Sequence, residues 1–224
     1  MIEPLYKRIA VASAFSPRFE QVLAEAKRVR DRFGSELSLI YVGEKEPETT
    51  RRFQEALAAM QLPADSTILY QQGTPAEAIL SVVEQNGIEL IVAGALEKEV
   101  VLRSFLGNVA RRLVRDAACS VMLFTRPERE PQPLRRMVFF VPDYTAHAAE
   151  AFRKTLRLAE LEGAENIYVI RVYTTFDAAR AALPESPGRS LEEEEDALEQ
   201  FIEAAGETTL PIEARCIRGN TGFA

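Results

Sequence analysis

The chain has 224 residues, 47% of them hydrophobic, enough for one large core or two modest ones. Its 34 acidic and 27 basic side chains leave a formal charge of -7, which argues against nonspecific binding to nucleic acid or to an anionic membrane. No apolar run is long enough to span a bilayer, and the opening MIEPLYKRIAVASAF places its acid before its bases and soon turns strand-like, so neither a signal peptide nor an anchor is expected. Cys119 and Cys216 lie far apart beside apolar residues, which predicts buried free thiols in a reducing compartment, the cytoplasm.

In chain order, short apolar and partly β-branched runs occur at Arg8 to Ala14, Leu37 to Val42, Ser66 to Gln72, Ile88 to Gly94 and Ser120 to Phe124. Polar, helix-like sequence separates each from the next, so they read as strands alternating with helices. Phe19, Val22, Ala26, Val29 and Phe33 recur at helical spacing, and Gly34 supplies the left-handed stop. Pro75 suits a first helical turn, and Leu106, Ala110, Leu113 and Ala117 share one face of a helix after Gly107. Strands buried on both faces need right-handed crossovers, which predicts an α/β fold with a doubly wound, five-stranded parallel sheet and helices on both faces. Ligands of such sheets bind beyond the carboxyl ends of the strands, here near Ala12 to Ser16, Val42 to Glu44, and Gly94 onward.

Residues 127–134, within RPEREPQP, are rich in proline and charge and read as a linker between a first unit, 1–126, and a second, 135–224. After it, RRMVFFVPDYTAHAAEAFRKTLRLAELEGAENIYVIRVY repeats the order of KRIAVASAFSPRFEQVLAEAKRVRDRFGSELSLIYVGE: strand, polar break, helix, glycine, strand. One inserted residue explains why the offset between Arg8 and Arg136 has grown at Gly34 and Gly163. The copies diverge at Thr174 to Ser190 and realign where CIRGNTGFA meets LYQQGTPAEA; the equivalent of residues 79 to 126 is missing from the second. The chain reads as a tandem whose second copy is either truncated or naturally short.

The stretch from Leu90 to Phe124 carries the strongest functional signal. LIVAG opens into a segment that closes on Leu106-Gly107-Asn108 and continues as a helix, and such a helix start offers free amides and a positive dipole end to an anion. Together with the FSP break after the first strand and GTPAEAI, the sequence IVAG followed by LRSFLGNVARRLVRDAACSVMLF resembles the universal stress protein family. The resemblance covers the first copy throughout and the second as far as it runs. It implies a stress-linked regulatory or protective module without a known reaction. In ATP-binding members it implies a phosphate loop of pattern G-x2-G-x9-G-[ST], an aspartate after the first strand holding the adenine or ribose end, and an edge-to-edge dimer through the last strand.

On that pattern the loop positions are Gly94, Glu97, Gly107 and Asn108, with the aspartate position at Ala14. Glu97 puts a carboxylate where a polyanion should approach, unless it turns to solvent or pairs with Lys98 or Arg103. Asn108 can still donate through its amide, whereas Ala14 offers no side-chain hydrogen bond, leaving Ser13 or Ser16 to substitute. The leading expectation is therefore a non-catalytic module with a degenerate nucleotide loop. The alternative is an adenine-nucleotide sensor taking ATP with magnesium, in which Gly94, Arg103, Gly107 and Asn108 hold phosphates and the backbone near Val42 receives the base. Slow ATP hydrolysis in the same cleft rests on analogy alone. Expected partners are a second copy paired through Ser120 to Phe124, or the other repeat through the same edge, and an unidentified protein.

The remaining candidates have plainer readings. Arg103 is in reach of a phosphate but equally suits a surface ion pair with Glu97 or Glu99; His147 reads as an exposed or capping residue in a first helical turn. Asp143 reads as a helix cap with Thr145 competing, or as the second copy's adenine-side aspartate. The acidic run Leu191 to Asp196 reads as a solvated helix start favoured by the dipole, or as an acidic docking site. No P-loop, dinucleotide fingerprint, zinc-protease motif or serine elbow is present, and no metal spacing is seen.

Overall fold

The structure is a computed structural model and describes residues 4–12, 15–95, 98–100, 103–105, 107–183 and 188–219. It divides into two units, Met1–Gln132 and Pro133–Ala224. The expectations placed on Ser13, Ala14, Glu97 and Leu106 lie outside the described residues.

The first unit runs β1 (Arg8–Ala12), α1 (Phe19–Phe33), β2 (Glu36–Val42), α2 (Pro47–Ala59), β3 (Thr67–Gln71), α3 (Pro75–Asn86), β4 (Leu90–Gly94), β5 (Lys98–Val100), β6 (Arg103–Phe105), α4 (Asn108–Asp116) and β7 (Ser120–Phe124). Five of these strands form one sheet in the order β3-β2-β1-β4-β7, every neighbouring pair parallel. The predicted α1 stripe is the buried one: Phe19, Val22, Ala26, Val29 and Phe33 all lie in the core, and Gly34 stops the helix at φ 68°. α1 packs on β1, β2 and β4, while α3 packs on β2 and β3 and α4 on β7. Because strand side chains alternate, Ala10, Ile40 and Ile91 join α3's Ile79, Val82 and Val83 on one face. Ile9, Val11 and Leu39 face the other way and are just as buried.

The segment after Gly94 differs from the open loop expected. Lys98–Val100 and Arg103–Phe105 form a two-stranded antiparallel hairpin, with Val100 opposite Arg103. Their alternation spans too few residues to register as strands against the glycine-bounded pattern around them.

The second unit runs β8 (Arg136–Phe140), α5 (Ala146–Glu162), β9 (Asn166–Tyr173), α6 (Thr175–Ala181), α7 (Leu191–Glu203) and β10 (Ile212–Arg218). Its three strands are parallel in the order β10-β9-β8, which repeats β3-β2-β1. Registers match as well: Arg8 faces Glu36, and Arg136 faces Asn166. The unit is a partial copy of the first, with its core of Met137, Val141, Phe152, Leu156, Ile167, Val169, Leu198 and Phe201 on the face that carries α5 and α7.

Candidate functional site

The sheet order reverses direction at β1, whose neighbours are β2 on one side and β4 on the other. The carboxyl ends of these strands therefore flank the topological switch point, the position where open parallel sheets receive ligands. Ala12 pairs with Ile40 and with Ala93, so Val42 and Gly94 sit just beyond it on the same rim.

Gly94 ends β4 opposite Phe124 and is exposed. A Cβ at this position would meet Cγ2 of Val22 at 2.9 Å, so any side chain here would have to displace Val22 on α1. Gly107 differs: it precedes α4 in extended conformation (φ -60°, ψ 157°), its would-be Cβ meets nothing within 4 Å, and no side chain caps the helix. Asn108 is the first residue of α4 and is exposed. Among the described residues, then, no side chain caps the amides at the start of α4. Val42 is half-buried, its side chain packed on the α3 face with Leu69 and Ala93. Arg103 lies in β6, within the hairpin.

The turn after β1 has a role that spacing alone did not show. Ser16 is exposed, and its carbonyl accepts the Phe19 amide at 3.0 Å, starting α1. Beside it, the Phe15 ring packs on Phe53, Phe19 and Tyr41 at centroid distances of 4.5, 5.1 and 5.9 Å. Tyr41 in turn meets Tyr70 across β2 and β3 at 6.0 Å, and the Arg52 guanidinium lies 3.9 Å above the Phe15 ring. Phe15, Ser16, Glu20, Arg52 and Glu55, with Arg129, line a cleft of about 500 Å³ outside this cluster, where Arg129 pairs with Glu20.

The corresponding end of the second sheet is ionic. Counting from the matched register, Arg171 stands where Tyr41 stands, and faces Cys216 where Tyr41 faces Tyr70. Its guanidinium donates to the Glu194 carboxylate at 2.5 Å and to the Val141 and Pro142 carbonyls at 3.3 and 2.8 Å. Arg189 approaches the same carboxylate at 3.7 Å. Tyr144 stacks edge-on to Phe201 and donates to the Glu194 carbonyl; burial, then the Glu194 charge, pushes its phenol well above the usual range. Burial likewise raises the Cys216 thiol, with the Glu194 and Glu195 charges adding to it.

Two readings of this region change. Asp143 is not the cap of α5: Thr145 is, accepting from the Ala148 amide at 3.3 Å, while Asp143 accepts from the Thr145 amide and hydroxyl at 3.0 and 2.6 Å. Those two bonds hold the Asp143 carboxyl below its ordinary pKa and fix the cap that precedes the helix. Nor is the acidic run uniformly solvated. Ser190 and Glu193 form a capping box and Glu192 and Glu195 are exposed, but Glu194 is buried with Arg171. Helical phase relative to Leu198 and Phe201 was the available signal, since Glu194 precedes both on the buried face. His147 is exposed. Both cysteines are free and half-buried, less enclosed than expected. Among the described residues no helix is long and apolar enough to cross a membrane, and no group of metal-ligating side chains comes together.

Comparison with known proteins decides the family. The model of the universal stress protein family matches residues 5–125, more than half of the chain. The chain belongs to the universal stress protein family. A universal stress protein of Methanocaldococcus jannaschii is 26% identical over 148 residues, covering 57% of this chain and 87% of the relative. One from Thermus aquaticus is 29% identical over 136 residues, covering 53% of this chain and 98% of the relative. The crystal structure of a universal stress protein from Archaeoglobus fulgidus superposes with a TM-score of 0.62 at 15% identity, over 96% of this chain and 79% of that one, a likeness of fold that extends into the second unit.

Proposed function

We propose that this universal stress protein works as a non-catalytic regulatory or protective module whose nucleotide loop is degenerate. The observation that carries this reading is the commitment of Phe15, just after β1, to packing: its ring is bound into the Phe19, Phe53 and Tyr41 cluster. The position family resemblance assigns to an adenine-side aspartate is Ala14, and Glu97 replaces the second loop glycine. Incubation of the full chain with ATP and magnesium should release phosphate no faster than a heat-treated control. Release above that control overturns the reading.

A second reading, an adenine-nucleotide sensor, is favoured by one specific feature: α4 begins at Gly107 with no side-chain cap and with open space beside it. In that reading Gly94, Gly107, Asn108 and Arg103 face the phosphates, Ser13 or Ser16 the ribose, and the backbone near Val42 the base. A ligand that binds only the folded state raises its stability by RT ln(1 + [L]/Kd), so millimolar ATP should raise the melting temperature if the sensor exists. No shift removes it. Glu97→Gly should enlarge a shift if carboxylate repulsion weakens the loop, and an unchanged shift discards that explanation.

A further inference from the structure

A basic cleft of about 480 Å³ opens in the first unit, between the C-terminal halves of α1 and α2, with Arg129 and Pro131 as its third wall. Both helices run antiparallel to the strands they connect, so their C-termini lie at the amino edge of the sheet, the opposite end from the rim that carries Gly94 and Gly107. The segment that supplies the third wall is tied to α1. Arg18 donates to the Thr125 carbonyl at 3.1 Å, the Glu128 amide donates to the Glu25 carboxylate at 3.4 Å, and Arg129 pairs with Glu20. Part of the lining is apolar: Ala24 and Ala59 present only methyl groups, which leaves the space open, and Met60 and Pro131 add to it.

Beside them stand Lys27, Arg28, Arg32 and Arg129, against the single carboxylate of Asp31. In a chain of net charge -7 this local excess of cations runs against the average. The helix dipole accounts for basic residues in the last turn of α1, Arg30 and Arg32, but not for Lys27 and Arg28 a turn earlier or for Arg129 from another segment. Internal pairing uses only part of the excess: Arg28 meets Glu25 at 3.3 Å, Arg129 meets Glu20, and Asp31 is held by Arg30 at 2.8 Å. Lys27 and Arg32 have no ion pair among the described residues.

We propose that this cleft binds an amphipathic organic anion, its apolar body on Ala24, Ala59, Met60 and Pro131 and its charged head held by Lys27 and Arg32. A bare inorganic anion leaves the apolar lining unused, and a neutral apolar molecule leaves the two cations unanswered, so both halves of the lining select the same class of ligand.

Decanoate, titrated by calorimetry into the full-length protein below its micelle concentration, should bind saturably at one site. Decanol and inorganic phosphate, each carrying half of the recognised chemistry, should bind more weakly. Lys27→Gln combined with Arg32→Gln should weaken decanoate by about tenfold or more, while Arg115→Gln on exposed α4 leaves it unchanged. Ala59→Phe, which fills the cleft and keeps both cations, should weaken it as well. Absence of saturable decanoate binding overturns the proposal, as does equal binding of decanol or of phosphate. So does decanoate binding that survives the Lys27 and Arg32 substitutions but is abolished by Phe140→Ser, since exposed apolar surface of the second unit would then be the site.

Discussion

At the residue scale, contacts rather than motif membership decide what each position does. Gly94 belongs to the loop pattern, yet the 2.9 Å approach of Val22 gives it a packing role as well. Gly94→Ala should therefore destabilise the fold by about 1–3 kcal/mol through overpacking, and Val22→Ala should recover part of that loss when the two are combined. Additive losses in a denaturant double-mutant cycle would detach the glycine from the helix crossing. Arg171 and Glu194 form the opposite case, a pair invisible to spacing because they lie on different elements and only folding joins them. Arg171→Ala leaves Glu194 buried with the more distant Arg189 and should cost about 3–5 kcal/mol, measured by urea unfolding. Glu25 tests the sign of a titration. Burial raises its pKa above the ordinary 4.5 despite hydrogen bonds from the Glu128 amide and from Arg28. The folded state thus holds this proton more tightly than the unfolded chain, and stability falls as pH rises from 4.5 through the shifted value. Glu25→Gln should be more stable than the parent at neutral pH and flatten that slope; a less stable variant at neutral pH would contradict it.

At the element scale, the strands of the main sheet were legible because β1, β2, β4 and β7 are continuous apolar runs bounded by polar sequence, the signature of burial on both faces. The α1 stripe was legible for the same reason, with Gly34 marking its end. Less was readable where one residue decides among equivalent local options. Asp143 and Thr145 both suit a cap, and only the geometry gives Thr145 the Ala148 amide and Asp143 the supporting role. Thr145→Ala should cost about 1 kcal/mol, and Asp143→Ala less, since it removes a support and not the cap itself. Equal losses in thermal melts would place the capping energy in the pair. The short hairpin of β5 and β6, and the phase that buries Glu194 among exposed acids, escaped a reading based on composition.

At the scale of the whole molecule, one chain carries a complete doubly wound sheet and a three-stranded partial copy. β1 is covered on both faces and paired on both edges, whereas β8 has an exposed face and pairs with β9 alone among the described residues. Hydrogen exchange should accordingly be faster by orders of magnitude at β8 amides than at β1 amides; equal protection would mean the second sheet is shielded by a partner or by self-association. Self-association through β7 is a separate proposal. Its run SVMLF forms the sheet edge beyond β4, and an apolar edge with open backbone groups favours strand pairing. Met122→Lys should then shift the sedimentation mass toward the monomer, and an unchanged mass would move the interface elsewhere.

The exchange of Tyr41 for Arg171 reaches beyond either site. Neighbouring repeats of similar sequence can trade equivalent segments while folding and become trapped as hybrids. If β9 were inserted in place of β2, its guanidinium would enter the ring cluster of Phe15 and Phe53 without Glu194, and β2 in the reverse position would leave Glu194 without Arg171. Each crossed product separates Arg171 from its buried carboxylate partner, so exchange between the two halves should be less stable than the native pairing.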